Sequence, residues 1–267
     1  MTEVSDFERR FGGLRRLYGE AGAQRIFDCH AVVVGIGGVG SWSAEAFARS
    51  GVRRLSLIDL DHIAASNINR QIHATTQTLG QSKVEAMRDR ILAINPACQV
   101  DCVDDFLSPE NLDACLSAIG LPVAAVVPKS ANSESKTVVV VDACDQVHAK
   151  VALASWALTH QRYFVSVGAA GGKRLAHAVD CADIADVTHD PLLAKLRYQL
   201  RRNHGASRSG RMGVMGIFSR EAVVMPKEEN GQLSSDLNCH GYGSAVTVTA
   251  SFGMAAAGWC LDQVGAG

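Results

Sequence analysis

Apolar positions along the chain fall into short β-branched runs separated by stretches with helical spacing. Residues 31–34 form the first run, and a glycine cluster follows before Trp42 and Phe47 mark a helix over 41–50. Leu55-Ser-Leu-Ile58 predicts a second strand ending at Asp59. Residues 81–94 read as an amphipathic helix closed by Asn95-Pro96, and 98–103 as a third strand. Apolar stretches at 121–127 and 137–141 come next, then a helix over 150–159 and a strand over 163–167. Continuous apolar runs suit strands covered on both faces. The β-α alternation therefore predicts an α/β fold: a doubly wound, mostly parallel Rossmann-like sheet with helices on both faces. Residues 7–29 read as helical, interrupted by Gly12, Gly13 and Gly19. Past Gly172 the texture changes. Residues 188–204 read as helical and then basic, 205–216 are rich in Gly, Ser and Arg, and 222–224 predict one more strand. The polar segment 128–136 reads as a surface loop or an insertion.

Composition narrows the class. With 267 residues, 47% of them hydrophobic and 20% charged, the chain is globular and long enough to bury a core without staples. A formal net charge of -1 excludes a protein that is basic overall but leaves room for a local patch. The N-terminus carries early charges and no apolar run, so no signal peptide is expected. Eight cysteines without any Cys-x-x-Cys pair, several of them in apolar runs, fit a reduced cytoplasmic protein. Residues 243–261 are uncharged. Their Ser, Thr and Gly content favours a buried helix, or strand plus helix, over a membrane anchor.

Three motifs carry chemistry. Gly35-Ile-Gly37-Gly38-Val-Gly40 lies between a strand and a helix, where glycines let the backbone approach a phosphate and the helix start offers free N–H groups. Asp59, 19 residues after Gly40 at the end of the second strand, is placed to accept hydrogen bonds from ribose hydroxyls, with Asp61 as its alternate. These features fit NAD or ATP equally. The second motif, Ser66-Asn67-Ile-Asn69-Arg70-Gln71 followed by Lys83, separates them. Hydride transfer has no use for such a loop, whereas Arg70 and Lys83 can neutralise a triphosphate that Asn67 orients. Alone, Lys83 reads as a solvated helix lysine. The third motif is Asp142-Ala-Cys-Asp145 at a strand end, where a carboxylate can hold Mg2+ against phosphates or else cap a helix.

Gly35-Ile-Gly-Gly-Val-Gly-Ser-Trp42, Asp59-Leu-Asp61, Asn67-Ile-Asn-Arg-Gln71 and Asp142-Ala-Cys-Asp145 together resemble the E1-like superfamily, which adenylates carboxylates with ATP and Mg2+. More narrowly, the chain resembles the tRNA threonylcarbamoyladenosine dehydratases. Arg10-Phe-Gly-Gly13, Arg16-Leu-Tyr-Gly19, Asn69-Arg-Gln-Ile-His73, Asp190-Pro-Leu-Leu-Ala-Lys-Leu-Arg197 and Gly241-Tyr-Gly-Ser-Ala carry that likeness. The resemblance implies ATP-dependent cyclisation of threonylcarbamoyladenosine in tRNA through an acyl-adenylate. It implies ribose binding by Asp59, phosphate binding by Asn67, Arg70 and Lys83, and Mg2+ binding by Asp145. It also implies a homodimer in which Arg16 reaches the partner's ATP site. One domain is expected, with residues 8–172 binding ATP and 173–267 adding the substrate-binding part.

From Lys195 to Arg211 there are six basic residues and no acidic one: Lys195, Arg197, Arg201, Arg202, Arg208 and Arg211. A tRNA backbone fits this stretch, and so does a solvated helix face with Leu193, Leu196 and Leu200 as its apolar side. The alternative function is a MoeB- or ThiF-like adenylyltransferase acting on a ubiquitin-like sulfur carrier. Many of those hold Zn through paired Cys-x-x-Cys motifs, which this chain lacks. A non-enzymatic adaptor is a third reading, against which the intact motifs speak. Cys144, Cys181 and Cys239 read as incidental thiols, with persulfide exchange to a sulfur-transfer partner as an extra role for Cys239. His73 and His240 read as structural.

Overall fold

The computed structural model describes residues 5–123, 137–224 and 242–267. Strands β1 (His30–Val34) and β4 (Val138–Asp142) are buried along their whole length. Their alternate side chains feed two different cores. Val33, Val139 and Val141 pack on one face, and Val32, Val138 and Val140 on the other. This is why both strands read as unbroken apolar runs. Around them lie β2 (Arg54–Ile58), β3 (Gln99–Val103), β5 (Tyr163–Val167), β6 (Val179–Asp183) and β7 (Met215–Ser219). The sheet order is β3-β2-β1-β4-β5-β7-β6. Neighbours are parallel throughout except for β6, which runs antiparallel to β7 at the edge. The order reverses between β1 and β4, and a crevice opens at the carboxyl ends of strands at such a point.

One face is covered by α2 (Gly13–Asp28), α3 (Gly40–Arg49), α4 (Lys83–Ile94) and α8 (Val246–Ala266), through Phe27, Phe47, Met87 and Phe252. The other is covered by α5 (Leu112–Ala118), α6 (Val147–Thr159) and α7 (Pro191–Asn203), through Leu116, Leu153 and Leu196. A short α1 (Asp6–Phe11) precedes α2, which kinks at Gly19 (φ 72°) as the glycine pattern suggested.

The uncharged C-terminal stretch is a single helix packed on α3. A Cβ at Gly253 would stand 2.4 Å from the Val39 carbonyl and 2.8 Å from Trp42 Cβ, so the small residues there serve close helix contact. Among the described residues no helix is long and apolar enough to cross a membrane.

The prediction beyond Gly172 needs correction. Ala222, Val223 and Val224 do not join the sheet; the Val224 N–H bonds the Gly172 carbonyl instead of a strand. The strands lie at β6 and β7. The β6 sequence (Val-Asp-Cys-Ala-Asp) is half-exposed on the edge and carries no apolar run to betray it. Residues 121–123 are not strand, and 124–136 lie outside the described residues.

Candidate active site

The chain leaves β1 at Gly35, whose φ of 84° turns it sharply. A Cβ at Gly40 would stand 1.8 Å from the Gly35 carbonyl, so this turn closes only with glycine. Helix α3 starts at Gly40, and the N–H groups of Gly37, Gly38 and Val39 have no acceptor among the described residues. Donors left free at a helix N-terminus attract anions.

Asp59 ends β2 beside this turn. Its Oδ2 accepts the Ile36 N–H at 2.6 Å and its Oδ1 the Asp61 N–H at 2.8 Å. Burial holds its carboxyl above the ordinary range, against the opposing pull of Lys83 and these N–H groups. Lys83, the first residue of α4, is buried, with its Nζ 2.6 Å from Asp61 and 3.8 Å from Asp59. Arg70 lies over Gly38, where a Cβ would come 3.2 Å from its Cγ. Its carbonyl accepts the Trp42 indole N–H at 3.0 Å, and its Nη1 donates to the Ser66 carbonyl and Asn69 Oδ1.

These groups wall a cavity of about 690 Å3 at the switch point, within the size range of cofactor sites. Gly35, Gly37, Gly38, Asp59, Asp61, Arg70, Gln71, Lys83 and Asp145 line it. Asp145 is exposed and has no hydrogen bond or ion pair among the described residues. It does not cap α6, whose N-cap position is Gln146. Buried Gln71 lines it too, with Oε1 lacking a partner among the described residues. A crevice with anion-ready N–H groups, two cations and a free carboxylate can hold a metal-bound polyphosphate ester.

Several expected ligands are placed elsewhere. Asn67 is buried in a 3-10 turn (Ala65–Asn67), and its Oδ1 accepts the Ala64 N–H at 3.0 Å. Its side chain therefore builds the loop that carries Arg70 and does not line the cavity. Asn69 is spent on Arg70 and, at 2.9 Å, on the Ser244 carbonyl; Ser66 offers only its carbonyl to Arg70. Gly40 is a packing glycine set back from the cavity wall. Asp142 is completely buried and turned into the sheet toward Lys150, so its expected contact with the metal or nucleotide is replaced by an ion pair. Arg16 is exposed on α2 and does not line its own chain's cavity.

Two walls escaped the motif reading. Residues 168–171, a small-residue run just past β5, line the cavity beside Leu192 of α7. Residues 105–110 line it from the end of β3 and include the exposed Phe106. Their only signal was position, since each follows a strand of the parallel sheet at its carboxyl end.

The basic stretch divides in two. Arg197 donates from Nη1 to the Ile184 and Val187 carbonyls, both at 2.8 Å, and so ties α7 to the segment before it. Arg201 donates to the Ser207 carbonyl and braces the following loop. Lys195, Arg202, Arg208 and Arg211 are exposed, with Arg202 packed over Tyr198.

At two of the three cysteines singled out, burial disfavours the thiolate. Burial and Asp142 raise Cys144 well above its ordinary value, and burial with Asp180 raises Cys181 to about 11. Cys239 and His240 lie outside the described residues. His73 is buried, and among the described residues neither ring nitrogen has a partner; burial, Lys83 and Arg90 push it down to about 4, so it is neutral at pH 7.

Residues 10–191 match the ThiF family. The chain is 38% identical to the tRNA threonylcarbamoyladenosine dehydratase of Escherichia coli, covering 98% of this chain and 96% of that one. It is 36% identical to the Haemophilus influenzae enzyme of the same name, covering 99% and 96%. The crystal structure of the E. coli dehydratase in complex with ATP superposes with a TM-score of 0.82 at 39% identity, covering 98% of this chain and 97% of that chain. The molybdopterin-synthase adenylyltransferase of E. coli, by contrast, is 33% identical over 120 residues, which is 44% of this chain and 48% of that one. From its cavity-lining motifs to its C-terminal helix, the chain belongs to the ThiF family and, within it, to the tRNA threonylcarbamoyladenosine dehydratases.

Proposed function

We propose that this protein uses ATP to cyclise the threonylcarbamoyl group on a tRNA adenosine. The carboxylate of the threonyl moiety attacks the α-phosphorus, and pyrophosphate leaves. An atom of the same ureido group then attacks the acyl carbon, and AMP carries off the carboxylate oxygen. The net change is loss of one water from the nucleoside. One observation carries this reading: similarity to the dehydratases extends past residue 191 through the basic helix and α8. Similarity to the molybdopterin-synthase adenylyltransferase covers less than half of the chain.

Each step has residues suited to it. Asp59 presents an oriented carboxylate whose remaining lone pairs can accept ribose hydroxyls. Arg70, Lys83 and the free N–H groups at residues 37–39 offset charge on the departing pyrophosphate. Asp145 fits Mg2+, which takes one or two carboxylates together with phosphate oxygens and water. Bound there, the ion would supply charge stabilisation to the leaving group. Ring closure joins groups on one molecule, so the walls need only orient them. The exposed position of Arg16, with Leu17 76% exposed beside it, suits a homodimer in which α2 meets a second copy. Residues 173–267 would then form the substrate side of one continuous domain.

The test is a single incubation of protein, ATP and Mg2+ with tRNA bearing threonylcarbamoyladenosine. ATP-dependent loss of one water, read by mass spectrometry of the nucleosides, is expected. No loss, with ATP–pyrophosphate exchange only on adding a Gly-Gly-tailed carrier protein, would overturn the reading. The basic face has its own test. Lys195→Gln with Arg202→Gln should weaken tRNA binding and flatten the plot of log affinity against log salt by about 2. An unchanged slope would make the face merely solvated.

A further inference from the structure

Beneath the crevice sits a charged pair that the phosphate ligands do not explain. Lys150 of α6 and Asp142 at the end of β4 are both fully buried, with Nζ 3.1 Å from Oδ2. The same ammonium reaches the Ser166 Oγ at 3.2 Å, the Val167 carbonyl at 2.8 Å and the Asp142 carbonyl at 3.4 Å. Ser166, opposite Asp142 in the β4–β5 register, donates to Asp142 Oδ2 at 2.7 Å. Asp142 Oδ1 accepts the Cys144 N–H at 3.3 Å and its thiol at 2.9 Å. One lysine thus ties the carboxyl ends of two adjacent strands.

Those two ends are cavity walls. The chain continues from Asp142 into residues 143–146 and from Val167 into residues 168–171, and both segments line the cavity. The first is also fastened to the glycine turn. The Ala143 N–H bonds the Val34 carbonyl at 2.8 Å, and a Cβ on Gly35 would stand 2.9 Å from Ala143. The second is fastened to α7, whose N-cap Asp190 accepts the Ala169 N–H at 2.9 Å. Stability alone does not call for an ion pair at their junction, because apolar replacements of similar shape are commonly neutral or stabilising at such sites.

We propose that Lys150 is a positioning residue for carboxylate activation. It holds the Asp145 turn and the wall at 168–171 in fixed relation to the Gly35 turn. It also keeps the Asp142 carboxylate out of the cavity, so that at this strand end Asp145 alone faces the triphosphate and its metal. The inference rests on the adenylation chemistry proposed above and names what aligns it. Its span is short, and misplacement of a reacting group by about 1 Å costs on the order of a hundredfold in rate.

The test compares wild type with Asp142→Asn/Lys150→Met, which removes both charges and leaves neither buried alone. Cyclisation turnover, its Mg2+ dependence and Mg2+-free binding of a non-hydrolysable ATP analogue are measured in the full-length protein. The double variant is expected to fold, to bind the analogue like wild type, to need more Mg2+ and to lose about a hundredfold in kcat. Ser166→Ala, which cuts one link without stranding a charge, should shift the same quantities less, and it carries the test if the double variant does not fold. Wild-type kcat and Mg2+ dependence in a folded variant would overturn the positioning role. So would loss of analogue binding in step with kcat, since that is general collapse of the site. A wild-type protein that neither cyclises nor releases AMP would instead overturn the adenylation reading, so the two failures are distinguishable.

Discussion

Asp145→Ala is expected to lower ATP-dependent AMP release about a thousandfold while leaving the thermal midpoint near the wild-type value. The expectation follows from placement. Asp145 is exposed in the cavity, caps no helix and has no partner among the described residues, so the fold loses nothing when it goes. The reaction loses the carboxylate that would hold Mg2+ against a departing pyrophosphate. Metal stabilisation of such charge is worth several kcal/mol, and about 4 kcal/mol corresponds to three decades in rate. Single-turnover AMP release beside a melting curve checks both halves. Near-normal turnover would remove Asp145 from the mechanism.

Lys150→Met should do the opposite and strike the fold first. The substitution leaves the Asp142 carboxyl fully buried without its cation, with Ser166 and the N–H and thiol of Cys144 as its remaining polar contacts. Removing one partner of a buried pair costs about 3–5 kcal/mol. At about 2–4 °C per kcal/mol for a chain of this size, the melting temperature should fall by roughly 10 °C. Asp142→Asn in the same chain should recover most of that loss, because no isolated charge remains. Calorimetry of the two variants checks the pair; an unshifted melting temperature in Lys150→Met would mean that the strand ends are held by other contacts.

These substitutions also mark how far the site could be read without coordinates. The glycine turn and Asp59 were legible because their requirements are local: a strand, an αL-capable turn, a helix start and an acid at the next strand end. Arg70 and Lys83 were legible as residue types, since a triphosphate needs cations near that turn. Asn67 reads as a ligand by residue type because a polar residue in a loop serves a phosphate as readily as a turn, and only the structure shows its Oδ1 taken by the Ala64 N–H. Likewise Arg197 looks like its neighbours in a basic run until its guanidinium is seen on two backbone carbonyls. The edge strand β6 was missed because its period is broken by exposure, and edge pairing is set by β7 rather than by its own residues.

The sequence by itself determined the doubly wound α/β class and the glycine turn at its crevice, because strand runs, helix periods and tight turns are written in consecutive residues. Which of two carboxylates three positions apart lines that crevice was decided by the tertiary structure alone. Lys150 lies eight residues beyond Asp142, and Ser166 comes from the neighbouring strand. A buried charge takes the partner that packing brings to it, and packing joins residues that the chain keeps apart.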